Sequence, residues 1–220
     1  AEENKIKVYR GAGKIRPASG GKFAQADLMV RLSSHRMSLA GITPFGLPLF
    51  RVTEDEKGVS IHGIDGLGSL TLGDGDSREG AALFREVLNV YHTEGAARDA
   101  VTLLDDETHY ILSRIRLTPA CYSSPQEDHA PCWGSPVRTY WIEKKTMNLV
   151  KKEIYGWNDK GKEEKLLTVE YSDFRPVSLS NLPGEFLDIP FTIRLKGKGG
   201  KPLGEVTFHE VHIDDEDFGT

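Results

Sequence analysis

The chain has 220 residues, of which 38% are hydrophobic and 28% charged, and its formal net charge is -5. This balance indicates a globular protein with a sizeable core, and the net negative charge argues against nucleic-acid binding. No run of 18 or more apolar residues occurs, so the sequence predicts no membrane-spanning helix. The first ten residues, AEENKIKVYR, contain no apolar signal segment, which fits a cytoplasmic protein or one whose signal has been removed.

Most of the chain alternates between apolar and polar residues, a pattern typical of half-buried β-strands. The clearest case is 23–34, where Ala24, Ala26, Leu28, Val30 and Leu32 fall on one face. The turn-forming sequence Thr43-Pro44-Phe45-Gly46 separates two later strands. Further strands are predicted at 36–39, 47–53, 59–64, 109–117, 137–144, 149–157, 166–174, 190–196 and 206–213.

One segment departs from this pattern. Apolar residues between Ala82 and Tyr91 recur at helical spacing after a cap at Asp76 or Ser77, which predicts a helix over 77–93. Residues 96–104 are expected to extend this helix or to form a second one. The predicted fold is mainly β (α+β): one domain over 1–220, built as a strongly curved antiparallel sheet or open half-barrel of about 10–11 strands with a helical lid.

The two cysteines, Cys121 and Cys132, lie in a Pro- and Ser-rich loop with ten residues between them. A disulfide closing this loop would stabilise the fold by about 2–3 kcal/mol and would imply an oxidising compartment. Two free thiols are a second interpretation, and a Cys-His-Cys metal site with His129 is a third. The disulfide is favoured, because structural zinc sites usually have closer cysteine pairs and four ligands.

Sequence motifs for catalysis are missing, including G-x-S-x-G and H-E-x-x-H. Gly11-Ala12-Gly13-Lys14 lacks the spacing of a phosphate-binding loop and is predicted to be a flexible strand turn. His209 and His212 would point to opposite faces of a strand, so they are predicted to be two exposed histidines. Asp74-Gly75-Asp76 lacks the other ligands of a calcium loop. We therefore expect no enzyme, no metal and no cofactor, and a secreted hydrolase is the least favoured function.

Three stretches carry a resemblance to the LolA/LolB superfamily of periplasmic lipoprotein carriers and receptors, closer to LolB. The first is Leu39-Ala40-Gly41-Ile42-Thr43-Pro44-Phe45-Gly46 with the strand that follows. The second is Leu167–Phe174, followed by Asn181-Leu182-Pro183 and the strand beginning at Phe186. The third is Tyr140-Trp141-Ile142-Glu143-Lys144-Lys145-Thr146, which resembles a hairpin turn of LolA relatives. The loop at 118–136 departs from the family pattern.

This resemblance implies an open β-barrel of about eleven strands with a helical lid, whose apolar cavity holds the acyl chains of lipoproteins or lipids. It further implies that Pro44, Phe45 and Gly46 form a loop that engages membrane or cargo; the alternative is that Phe45 folds back into the core. The candidate residues of the cavity wall are Leu28, Val30, Leu32, Met37, Leu39, Leu83, Val87 and Ile142. For each of them the alternative is plain packing in the core.

The expected function is transfer of acyl chains at the outer membrane, without catalysis. The expected partners are acylated lipoproteins or phospholipid, the inner leaflet of the outer membrane and a periplasmic carrier protein, with no nucleic acid. The expected location is the periplasm. Whether an acylated cysteine before Ala1 anchors the chain to the outer membrane stays open. The alternative function is a periplasmic sensor or protein-interaction module on the same fold, with Tyr122 and Trp133 at its partner surface.

Overall fold

The computed structural model describes residues 8–18, 25–33, 36–55, 58–62, 85–88, 99–116, 135–157, 163–180, 182 and 184–214. Within these ranges the chain forms twelve β-strands, one turn of α-helix at 85–88 and one 3-10 turn at Lys198–Gly200. The strands are β1 (Val8–Pro17), β2 (Ala26–Ser33), β3 (Met37–Ile42), β4 (Pro48–Asp55), β5 (Gly58–His62), β6 (Asp99–Asp105), β7 (His109–Arg116), β8 (Ser135–Glu143), β9 (Leu149–Trp157), β10 (Glu163–Ser178), β11 (Phe186–Lys196) and β12 (Pro202–Asp214).

All twelve strands belong to one antiparallel sheet with the order β5-β4-β3-β2-β1-β12-β11-β10-β9-β8-β7-β6. Strands that follow one another in sequence are neighbours in the sheet, except that β1 pairs with β12 and that β5 and β6 stand at the two edges. The predicted mainly-β, antiparallel fold with an open edge on each side is therefore confirmed, with two more strands than the ten read from the alternation.

The chain divides into two compact units. Unit 1 comprises 1–90, 171–194 and 202–220, and unit 2 comprises 91–170 and 195–201. Strands β10 and β11 contribute residues to both units. The single domain expected from the sequence stays a prediction.

Strand β1 corrects the expectation of a flexible turn at Gly11-Ala12-Gly13-Lys14. These residues lie in the middle of a ten-residue strand that pairs with β2 on one side and β12 on the other. A Cβ on Gly11 would lie 2.8 Å from the Phe208 ring, and one on Gly13 would meet the backbone of Thr207 and Phe208. The glycines are therefore there because neighbouring atoms come close to the backbone, and they do not mark a turn.

Strand β6 corrects the second predicted helix, which was placed at 96–104. Residues 99–105 are extended and pair with β7, from Asp99 opposite Arg116 to Asp105 opposite Tyr110. The apolar residues of this segment fit a helix face and a strand about equally well, so pairing with β7 decided the outcome. Of the first predicted helix, residues 85–88 are helical, and 77–84 and 89–93 lie outside the described residues. The helical lid is thus not confirmed.

A polar network on one face of unit 2 surrounds Glu153, a carboxylate that is largely buried. Tyr155 donates a hydrogen bond of 2.7 Å to Oε2, and Lys165 donates one of 3.1 Å to Oε1. Lys151 Nζ lies 3.4 Å from the same Oε1. Burial raises the pKa of Glu153, but the hydrogen bonds from Tyr155 and Lys165 and the charges of Lys151 and Lys165 outweigh it, so the pKa lies below its ordinary value of 4.5.

We expect Glu153→Gln to lower the free energy of unfolding by about 1–2 kcal/mol at pH 7. Because the folded-state pKa is depressed, this contribution is fully present above the ordinary carboxyl pKa and disappears as pH falls through the folded-state value. Urea unfolding at pH 7 and pH 3 tests this, and the gap between wild type and variant should be smaller at pH 3 than at pH 7. The exposed Glu107→Gln is the control; a gap of equal size at both pH values would contradict the argument.

Candidate functional site

One face of unit 1 is a continuous apolar surface across neighbouring strands. The register places Val30 opposite Leu39 on β3 and opposite Gly11 on β1. Leu39 in turn lies opposite Val52 on β4, and Gly11 lies opposite Val211 on β12. Because directly opposed residues project to the same side of a sheet, these positions and those two residues away share one face. We call it the apolar face; its buried members include Leu28, Val30, Leu32, Met37, Leu39, Phe50, Val52, Val206, Phe208 and Val211.

Two aromatic rings on the apolar face lie across glycines. A Cβ on Gly41 would collide with the Phe50 ring, and one on Gly11 would collide with the Phe208 ring. Phe208 also makes an edge-to-face contact with Tyr9, with ring centroids 5.9 Å apart. Because glycine has no side chain, the Phe50 ring can lie against the backbone of Gly41 and the Phe208 ring against that of Gly11.

The helical turn at 85–88 is attached to the apolar face. Glu54 lies opposite Met37 in register and therefore shares its face. Arg85 Nε donates to Glu54 Oε2 at 2.7 Å, and Arg85 Nη1 donates to the carbonyl oxygen of Ser33 at 2.9 Å. The hydroxyl of Tyr171, a buried residue, donates to the carbonyl oxygen of Val87 at 3.0 Å.

The next residue of this turn, Leu88, is buried, as is Val87 itself. The described part of the turn thus contacts the sheet through polar groups of Arg85 and Val87, and two of its apolar side chains are buried. These contacts link β2, β4 and β10 to a segment far away in sequence.

The structure brings together most of the predicted wall residues. Five of them lie on the apolar face and are buried: Leu28, Val30, Leu32, Met37 and Leu39. Val87 is buried in the helical turn. Ile142 is half-buried in β8, which belongs to unit 2, and Leu83 lies outside the described residues. That these side chains contact an acyl chain stays a prediction.

The loop between β3 and β4 presents Phe45 at its tip. Thr43 N–H donates to Leu47 O at 2.8 Å and Gly46 N–H donates to Thr43 O at 2.9 Å, which closes a three-residue hairpin loop. Gly46 has a φ of 81°, a left-handed conformation that favours glycine. The Phe45 side chain is 91% exposed and Leu47 is 64% exposed, so Phe45 does not fold back into the core. Pro44 is exposed as well, and the role of this loop at a membrane stays a prediction.

The histidine pair at the end of β12 corrects one argument made from the sequence. Ala12 is opposite Glu210 and Gly13 is opposite Phe208, so His209 is an extra residue in a β-bulge. The bulge interrupts the alternation on which the opposite-face assignment rested. Both histidines are exposed, and His212 Nε2 lies 2.8 Å from Glu210 Oε1.

Among the residues that the structure describes, no three His, Cys, Asp or Glu side chains form a group that could hold a metal ion. Cys121, Cys132 and His129 lie outside the described residues, so the disulfide and its two alternatives stay predictions.

Sequence reasoning did not find the polar contacts of the helical turn. Arg85, Glu54 and Tyr171 come from three distant segments, and nothing in their local sequence pairs them. The one sequence signal near them is the stretch Leu167–Phe174, which contains Tyr171 and resembles the LolA/LolB superfamily.

Comparison with solved structures shows a likeness in fold. A domain classed as an outer membrane lipoprotein-sorting protein from Vibrio parahaemolyticus superimposes with a TM-score of 0.56 at 9% sequence identity, over 98% of this chain and 88% of that chain. A second structure, GphF Dehydratase 1, covers 94% of this chain and 76% of its own at 12% identity, but its TM-score of 0.17 carries no argument.

No protein-family model and no curated protein matches the sequence. Within the described ranges, none of the helical segments is long and apolar enough to cross a membrane. The resemblance read from the sequence thus has support at the level of the fold, which is similar to that of a lipoprotein-sorting domain.

Proposed function

We propose that this protein binds the acyl chains of lipoproteins or lipids on the apolar face of unit 1 and passes them on at the outer membrane. The observation that carries the proposal is the apolar face itself, to which the helical turn at 85–88 is joined through Arg85 and Val87. A continuous apolar surface of this extent is the kind of surface against which an acyl chain can bind. The likeness in fold to the Vibrio lipoprotein-sorting domain supports lipid or lipoprotein binding in general.

Binding of this kind needs no catalytic group. An acyl chain gains about 0.8 kcal/mol for each buried CH₂, so a chain of about a dozen carbons supplies enough free energy for useful affinity. We therefore propose a binding protein and no enzyme, which acts in the periplasm at the outer membrane. Its partners would be acylated lipoproteins or phospholipid, the inner leaflet of that membrane and a soluble carrier that delivers the cargo.

Two adjacent positions of β3 offer a matched test of the binding face. Leu39 is buried on the apolar face, and Ala40 projects to the opposite side, where it lies opposite Met29 and Arg51. We expect Leu39→Trp to fill the space that an acyl chain would occupy and to weaken binding of a fluorescent long-chain fatty acid about tenfold or more. A tenfold loss corresponds to about two CH₂ groups left without contact.

Ala40→Trp is expected to bind the same fatty acid as wild type does, because its ring lies on the other face. Urea unfolding of both variants separates loss of binding from loss of the fold. Equal affinity of Leu39→Trp and Ala40→Trp for the fatty acid, with both proteins folded, would overturn the proposal that the apolar face is the binding site.

A further inference from the structure

Strand β6 of unit 2 stands at one edge of the sheet. It pairs with β7 over its whole length, from Asp99 opposite Arg116 to Asp105 opposite Tyr110, and the strand order of the sheet ends with it. In the part of the chain that the structure describes, no strand lies on its outer side. An edge of this kind presents a row of backbone N–H and C=O groups to which another strand can be added.

The hairpin that joins β6 to β7 shows which backbone groups face the open edge. Asp106 N–H donates to His109 O at 3.0 Å, so these two residues form a hydrogen-bonded pair. Hydrogen-bonded and non-hydrogen-bonded pairs alternate along an antiparallel ladder, and the register of β6 with β7 contains no shift. The even-numbered residues of β6 therefore bond to β7, whereas the backbone N–H and C=O groups of Val101 and Leu103 point outward.

The same edge exposes large apolar side chains on both faces of the sheet. Val101 and Leu103 are 60% and 63% exposed on one face, and Leu104 is 64% exposed on the other. Edge strands are commonly protected from further pairing by lysine, proline or a bulge. Strand β6 contains neither lysine nor proline, and its ladder with β7 has no bulge. Its backbone and its side chains are thus both suited to the addition of a strand.

Acidic groups lie at the end of β6 where the hairpin turns. Asp105, Asp106 and Glu107 follow one another, and all three are exposed. Among the described residues, Lys144 Nζ lies 3.0 Å from Asp105 Oδ2, and His109 Nδ1 lies 3.5 Å from Asp106 Oδ1. Three carboxylates thus stand beside one ammonium group and one imidazole, so this end of the strand favours a basic residue next to it.

A second copy of this chain fits the edge less well. Because Val101 and Leu103 both face outward, two copies of β6 in full-length antiparallel register pair Val101 of one with Leu103 of the other. That register also places each Asp99 opposite an Asp105 of the other copy, at both ends of the paired strands. Like charges directly opposite each other are destabilising. The pattern of charge therefore favours a different chain, with basic residues where β6 is acidic.

We propose that β6 binds an extended segment of another protein, which adds to the sheet as an antiparallel strand and carries Lys or Arg at its N-terminal end. Main-chain hydrogen bonds to Val101 and Leu103 hold the segment, and its apolar side chains pack beside theirs. The antiparallel direction continues the pattern of the sheet and brings the basic end beside Asp105 and Glu107. This surface lies within unit 2 and does not depend on acyl binding at the apolar face of unit 1.

The test measures binding of synthetic peptides to the full chain by fluorescence anisotropy, starting with the sequence Lys-Arg-Val-Thr-Val-Thr-Val. Its valines are designed to lie opposite Val101 and Leu103, so their amides face β6 and the threonine amides face away. We expect N-methylation of the valine amides to weaken binding about tenfold or more, and N-methylation of the threonine amides to change it by less than about threefold. A peptide with Glu-Glu in place of Lys-Arg should bind about tenfold more weakly, with a difference that shrinks as salt is raised.

Leu103→Pro removes an outward N–H without removing a donor to β7, and we expect it to weaken binding of the first peptide about tenfold. Leu103→Thr is the matched control, because it loses the same apolar side chain but keeps the N–H, and it should bind within about threefold of wild type. Leu39→Trp should bind the peptide as wild type does, so failure of the apolar-face proposal and failure of this one are distinguishable.

Equal affinity of wild type for the two methylated peptides would overturn strand addition, whether or not Leu103→Pro folds. Equal affinity for the basic and the acidic peptide would overturn the assignment to a partner with a basic end. A concentration-dependent dimer of wild type that is absent in Leu103→Pro, measured by analytical ultracentrifugation, would assign the edge to a second copy of this chain and would overturn the proposal.

Discussion

Gly13→Val is expected to lower the free energy of unfolding by about 2–3 kcal/mol, because a side chain at this position meets backbone atoms. A Cβ on Gly13 would meet the carbonyl oxygen of Thr207 and would lie 2.9 Å from the Cα of Phe208. A change of side-chain rotamer cannot relieve contacts with the backbone, so β1 and β12 must separate locally beside the bulge at His209. Urea unfolding of the full chain, followed by circular dichroism, measures the loss.

The matched control for this variant is Ala12→Val, on the adjacent residue of the same strand. Ala12 is half-buried on the other side of β1, opposite Met29 and Glu210. A β-branched residue there should change the stability by no more than about 0.5 kcal/mol. Equal stability of Gly13→Val and Ala12→Val would contradict the close approach of β1 and β12.

Phe45→Glu is expected to reduce partition onto phospholipid vesicles about tenfold or more. Burying a Phe side chain in an apolar environment contributes about 1.5–3 kcal/mol, and a glutamate at the same tip would have to be desolvated. Phe45 lies at the tip of the β3–β4 loop and not on the apolar face, so binding of a fatty acid should be unchanged. Vesicle co-sedimentation measures the partition, and fluorescence titration with the fatty acid measures the binding.

Phe186→Glu is the control for charge and for loss of an aromatic ring. Phe186 is 62% exposed at the start of β11, also in unit 1. The Phe186→Glu variant should partition onto vesicles as wild type does. The Phe45 loop would have no role at the membrane if both variants partitioned like wild type, or if both lost partition equally.

The parts of the fold that the sequence predicted correctly are those where local pattern and burial agree. In β2 the apolar residues Ala26, Leu28, Val30 and Leu32 alternate strictly with polar or exposed ones, and the structure buries all four. In β9 the predicted strand 149–157 has the bounds found in the structure. A strand with one buried face shows this alternation in its sequence wherever no bulge interrupts the strand.

The errors lie where partners distant in sequence decide the local structure. The sequence predicted a turn at Gly11 and Gly13, but these glycines are explained by the Phe208 ring and the β12 backbone that lie beside them. The segment 99–105 looks helical until β7 pairs with it. The bulge at His209 depends on a mismatch between β1 and β12 that neither strand shows alone.

The candidate site was likewise predictable only in part. The wall residues of β2 and β3 follow from alternation, because burial on one face selects every second residue. The attachment of the helical turn through Arg85, Glu54 and Tyr171 joins three distant segments. Such contacts have no local sequence signal.

The most direct measurement of the central claim is native mass spectrometry of the protein purified from a cell-envelope extract, before and after extraction with organic solvent. Acyl binding predicts a co-purifying mass of the size of an acylated lipid or lipopeptide, which disappears on extraction and returns when lipid is added back. A single lipid-free mass before extraction, unchanged by added lipid, would contradict the claim and would mean that side chains alone fill the apolar face of unit 1.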